Sequence, residues 1–158
     1  MRMAALVLSM IVIALPLSAA GLQDLDALIG TWHGTSRGEP GEGKVTRVCQ
    51  RVLNDRFIEC RTTSVYERET HVDVGYYSYD KRAKKLRLRQ FHGEGFVNTY
   101  SAEVGTLVFV TEAIENIPDG FRAREIYDVK PEKWTERFEI AEPGKDFALY
   151  SSTTLGRD

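Results

Sequence analysis

Apolar residues along most of the chain alternate with polar ones in short bursts, separated by turn-forming residues at intervals of roughly 8–12 residues. Such a period of two marks strands with one buried face. It predicts strands at 31–36, 44–53, 57–66, 71–79, 85–91, 96–102, 107–113, 121–129, 134–141 and 147–155. The breaks read GEPGEG, LNDR, DKRAKK, HGEG, EVG, NIPDG, KPEK and EPGKD. Only 22–29 has helical spacing, with Leu22, Leu25, Leu28 and Ile29 on one side. The pattern predicts an all-β domain, a ten-stranded antiparallel meander closed into a barrel, with the short N-terminal helix closing one end. Closure removes the free edges that an open sheet of this size would have to protect.

The first twenty residues follow a different pattern. Arg2 supplies a positive start, 4–17 is apolar except for Ser9 and Pro16, and Ser18, Ala19 and Ala20 are small. That is the pattern of a secretory signal peptide, and the run is too short for a membrane span. The expectation is a signal peptide at 1–20 and one barrel domain at 21–158, periplasmic or secreted. The mature 138 residues carry 20 basic and 23 acidic side chains, a net charge near −3. A mildly acidic surface argues against nucleic acid as a partner. No second long apolar run remains for membrane insertion.

Export changes the meaning of Cys49 and Cys60, because an even pair in an oxidising compartment reads first as a disulfide. The hairpin register agrees. With the turn centred between Asn54 and Asp55 in VTRVCQRVLNDRFIECRTT, Val52 faces Phe57, Arg51 faces Ile58 and Cys49 faces Cys60. Two cysteines and three scattered histidines, His33, His71 and His92, do not make an evident metal site.

The stretch LIGTWHG resembles the Gly-x-Trp signature of the lipocalin and fatty-acid-binding-protein superfamily. The resemblance implies that Trp32 plugs the closed end of the barrel and that Arg157, late in the last strand, lies across its indole. With RVLNDRFIECR, VGYYSYDKRAKKLRLRQF and LYSSTTLGR, the chain looks like bacterial lipocalin-like (calycin) barrels of uncharacterised function, and more distantly like the haem-binding nitrobindins. In nitrobindins a histidine of the last strand ligates haem; Tyr150 stands near that position here, and the strand has no histidine. Fatty-acid-binding proteins hold a carboxylate with an arginine and a tyrosine. Here Tyr150 lacks an arginine two positions before it.

The hairpin FRAREIYDVKPEKWTERFEIA carries the candidate site. A turn at 130–133 pairs Tyr127 with Glu136, Glu125 with Phe138 and Ala123 with Ile140. One face then shows Glu125, Tyr127, Trp134, Glu136 and Phe138, two carboxylates among aromatics. Buried without partners these carboxylates would be costly, so an arginine, a water network or a ligand is expected beside them. The opposite face, Arg122, Arg124, Arg137 and Glu139, reads as solvated. Trp134 is expected to face the cavity and Trp32 to lie at the opposite end. On the strand 71–79, His71, Asp73, Tyr77 and Tyr79 share one face and Val72, Val74 and Tyr76 the other; the pattern leaves open which is interior. His92, beside a loop, reads as solvated. The basic run from Lys81 to Arg89 alternates with Leu86 and Leu88 and reads as an outward strand face.

These features leave three classes of function. The leading one is a barrel holding a small, largely apolar ligand at Glu125, Tyr127, Trp134, Glu136, Phe138 and Tyr150. The alternatives are a packed barrel with a structural role, and an enzyme working through the two carboxylates or through haem. No cofactor is otherwise implied.

Overall fold

The computed structural model describes residues 21–158, so the signal peptide expected at 1–20 lies outside the described residues. The alternating segments form ten strands: β1 (Gly30–Gly38), β2 (Gly41–Val52), β3 (Phe57–Val65), β4 (Thr70–Asp80), β5 (Lys85–His92), β6 (Val97–Glu103), β7 (Val108–Glu115), β8 (Arg122–Lys130), β9 (Lys133–Ala141) and β10 (Ala148–Arg157). Each pairs antiparallel with the next, and β10 returns to β1, so the sheet is a closed barrel with no free edge.

Most strand ends shift by one to three residues from the pattern-based reading, and two differences bear on the ends of the barrel. The break expected over GEPGEG shrinks to Glu39 and Pro40, because Gly38 pairs directly with Gly41. Gly41 sits at φ +98°, which lets the chain reverse in so short a link. The helical segment is a 3₁₀ helix, Leu22–Leu28, whose Leu22, Leu25 and Leu28 are buried. Three residues per turn place Leu22, Leu25 and Leu28 on one line, which suits a short plug.

That plug closes the end at which β1 begins and β10 stops. Gly30, at φ +137°, turns the chain from the helix into β1. Trp32 is fully buried and donates its indole N–H to the Leu28 carbonyl at 2.9 Å. The Arg157 guanidinium lies 4.4 Å from the Trp32 ring centroid and also donates to the Ala27 carbonyl at 2.7 Å. Strand β10 runs very close to β1 at Gly34, where a Cβ would sit 1.9 Å from the Thr154 carbonyl oxygen.

Beyond Trp32 lies a packed layer containing Ile58, Leu86, Leu88, Phe109, Trp134 and Leu155, with Cys49 and Cys60 in its wall. Cys49 pairs with Cys60 across β2 and β3, at a Cα separation of 4.1 Å, and the two are joined in a disulfide. This close spacing is that of a non-hydrogen-bonded pair. On β4 the face bearing Asp73, Tyr77 and Tyr79 points inward, whereas Val72 is exposed and Tyr76 packs edge-on against Phe91 outside. The basic strand β5 keeps Leu86 and Leu88 inside and pairs Arg87 with Glu112 and Arg89 with Glu115 on the outer surface. No helix among the described residues is long and apolar enough to cross a membrane.

Candidate functional site

The strand ends opposite the helix diverge around a cavity of about 430 Å³. The ladder between β7 and β8 runs for only three pairs, Val108–Ile126, Phe109–Glu125 and Val110–Arg124, so the wall is least tightly laced on that side. Inward side chains from all ten strands line the space. Phe96, Ile117, Phe121, Phe138, Ile140 and Tyr150 give apolar surface, and Ser36, Thr62, Ser64 and Thr153 contribute hydroxyls.

Charged groups are concentrated on the floor. Arg47 of β2 donates through Nη1 to Glu136 Oε2 at 2.6 Å and through Nε to Thr62 Oγ1 at 3.0 Å. Both charged side chains are about nine-tenths buried. The arginine is thus the partner that a buried carboxylate at 136 requires. It also lies 4.5 Å from the centroid of Trp134. Glu125, on the neighbouring strand, forms no ion pair among the described residues. Its carboxylate accepts from the Tyr127 hydroxyl, which in turn lies 2.9 Å from the Tyr77 hydroxyl. Burial, reinforced by the nearby Glu136 charge, pushes Glu125 up to about 8, so it is mostly protonated at neutral pH. Burial also raises Asp73, whose carboxylate accepts from Gln90 at 3.1 Å.

The hairpin register expected from sequence holds throughout: Tyr127 faces Glu136, Glu125 faces Phe138 and Ala123 faces Ile140. Depth divides its residues. Glu125, Glu136, Phe138 and Tyr150 border the cavity. Tyr127 and Trp134 lie beneath the floor in the packed layer. Trp134 is fully buried, with its ring centroid 5.2 Å from Tyr127 and 5.7 Å from Trp32. The two tryptophans expected at opposite ends therefore touch, because Trp134 opens β9 at the closed end. Glu139, expected to be solvated, is nearly covered on the outer face, where Arg124 and Arg137 both donate to it.

Tyr150 is the bulged residue where β10 shifts register against β9, and its ring meets Phe138 edge-on at 5.8 Å. Burial raises its pKa.

Sequence reasoning missed a second group. His71 and His92, expected to be scattered, come together because Asp73 pairs with His92 across β4 and β5. His92 Nδ1 lies 3.4 Å from His71 Nε2, and His71 Nδ1 lies 2.6 Å from Glu94 Oε1. His92 stacks on Phe96 with ring centroids 4.0 Å apart. Burial, with His71 beside it, lowers His92 to about 4. All four border the cavity.

No protein-family model matches the chain, and no curated protein matches it. Among solved structures it is similar to the crystal structure of Rv2717c from M. tuberculosis, with a TM-score of 0.66 and 17% identity over 87% of this chain and 96% of that one. It is also similar to the S-type phycobiliprotein lyase CPES from Guillardia theta, with a TM-score of 0.56 and 18% identity over 86% and 91% of the two chains. At these identities the likeness shows a shared fold and nothing finer.

Proposed function

We propose that this protein is an exported binding barrel that holds one small amphipathic molecule in the open half of its interior. The observation that carries the reading is the contrast within one barrel between a packed layer and a cavity of about 430 Å³ above a charged floor. A cavity of that size, with apolar surface and a few convergent polar groups, has the character of a small-molecule site. The apolar part of the ligand packs against Phe96, Phe121, Phe138 and Ile140. Its polar group meets Arg47, Glu136 and Glu125, where low dielectric strengthens each hydrogen bond. Export is supported by the signal-like segment at 1–20 and by the cysteine pair.

The floor supplies orientation and the upper wall supplies contact area. Glu125 is a donor when protonated and an acceptor when ionised, so the preferred head group should depend on pH. Titration with fatty acids, fatty amines and aromatic acids, followed by tryptophan fluorescence, tests the reading. Trp134 should report occupancy through the Arg47 guanidinium above it. Phe138→Ala should weaken every ligand, by up to about 1.5–3 kcal/mol if the ring's contact is fully lost. Glu136→Gln should change the preferred head group. Binding that ignores both substitutions would place the ligand elsewhere.

A further inference from the structure

One wall of the cavity carries more negative and electron-donating groups than a neutral ligand needs. Asp73, Glu94, His71 and His92 converge there, and the buried side-chain oxygens Gln90 Oε1 and Asn98 Oδ1 have no hydrogen-bond partner. Asn98 is 2% exposed. The two arginines bordering the cavity are committed elsewhere. Arg47 pairs with Glu136, while Arg122 donates to the Lys145 carbonyl and lies over Phe147. Among the described residues, no lysine or arginine forms an ion pair with this acceptor-rich wall.

We propose that His71, His92 and Glu94 bind a divalent transition-metal ion of the zinc class, with Asp73 as a positioning carboxylate. The site needs no organic ligand and goes beyond the binding role above. One ligand atom from each of the three residues lies within 4.8 Å of the others. The 3.4 Å between His71 Nε2 and His92 Nδ1 is roughly the separation of two nitrogens held at about 2.0–2.1 Å by one tetrahedral zinc. Both rings are already fixed. His71 has Glu94 2.6 Å from Nδ1 and Asp73 3.7 Å from Nε2, so carboxylates bracket the ring, and Asp73, which is not one of the three ligands, helps to orient it. His92 is stacked on Phe96, and its Nε2 lies 3.3 Å from the Asn98 amide. Two imidazoles and a carboxylate suit zinc, cobalt or nickel and not magnesium or calcium, which take oxygen ligands. Three protein ligands leave a coordination position for water or for a polar group of a molecule in the cavity.

The test is calorimetric titration of the full-length protein, free of any histidine tag, with Zn²⁺, and optical titration with Co²⁺. One ion should bind per chain, with the visible absorption of a low-symmetry cobalt site, and Mg²⁺ or Ca²⁺ should not compete. His71→Gln and His92→Gln should each weaken Zn²⁺ at least about a hundredfold, and Glu94→Gln and Asp73→Asn by roughly tenfold to a hundredfold. His33→Ala, which removes an exposed ring paired with Asp158, should leave affinity unchanged. Circular dichroism of each variant keeps loss of binding separate from loss of fold. Absence of Zn²⁺ binding by folded wild-type protein, or binding unaltered in both His71→Gln and His92→Gln, would overturn the assignment.

Discussion

The two ends of this barrel are built from the same ten strands yet differ in what their inward positions hold. At the helix end those positions carry Trp32, Trp134, Phe109, Ile58 and leucines, which fill the space and leave little room. At the other end they carry serines, threonines, acids, histidines and a few rim aromatics, and a cavity remains. Arg47 and Glu136 form the boundary: above Trp134 the arginine covers the packed layer, and its ion pair faces the open one. The barrel's stability is therefore concentrated at one end, which frees the other for polar groups that a packed core would exclude.

The largest test of that division is truncation of an aromatic. Trp32→Ala should cost about 3–5 kcal/mol in chemical denaturation, because a fully buried indole is lost from a packed site. Phe138→Ala, at the cavity, should cost less, since its neighbouring space is already open. Combining Trp32→Ala with Arg157→Ala should be non-additive, because the guanidinium lies over the ring. Strict additivity would contradict that contact.

Next in size is the Cys49–Cys60 bond, which spans 11 positions beside the packed layer. Its loss in the Cys49→Ser/Cys60→Ser double variant should cost on the order of 2–3 kcal/mol. Quantitative alkylation of both thiols in unreduced native protein would show that the bond is absent.

A matched pair of enlargements compares the two halves directly. Ala102→Phe pushes a ring into the packed layer and should destabilise by about 1–3 kcal/mol. Ala123→Phe extends into the cavity and should be nearly neutral. Equal losses would mean that the two halves are packed alike.

The last effect concerns pH. Glu125 is raised to about 8 in the folded protein, against about 4.3 in the unfolded chain. Between those values the folded state holds the extra proton. The group's stabilising contribution is full below about pH 4.3 and is lost as pH rises through 8. The contribution of Glu125 should therefore fall steadily as pH rises through that window. Melting temperatures of wild type and Glu125→Gln across pH 5–8 should converge toward the acid end, with the variant flatter. A parallel pair of curves would show that Glu125 ionises freely.

Hairpin symmetry made much of this legible in the sequence. A turn centred between Asn54 and Asp55 was enough to set Cys49 against Cys60, and a turn at 130–133 set Tyr127 against Glu136. The same counting around the Lys81–Lys84 turn sets Asp73 against His92, which draws His71 and His92 together. Depth was not legible. Alternation says which face of β9 points inward but not how far along the axis a residue lies, so Trp134 was expected in the cavity when it belongs beneath the floor. Arg47 was missed for another reason: its partner, Glu136, is 89 positions away, and only barrel closure brings β2 across from β9.

The central claim is that the open half of the barrel is a binding cavity. Native mass spectrometry of protein purified without denaturation, before and after exposure to the amphipathic panel, tests it most directly when wild type and Ala123→Phe are run side by side. Wild type should carry one small-molecule adduct per chain, and the folded Ala123→Phe variant should carry none. Wild type free of adducts under every condition, or an adduct retained unchanged by Ala123→Phe, would contradict it.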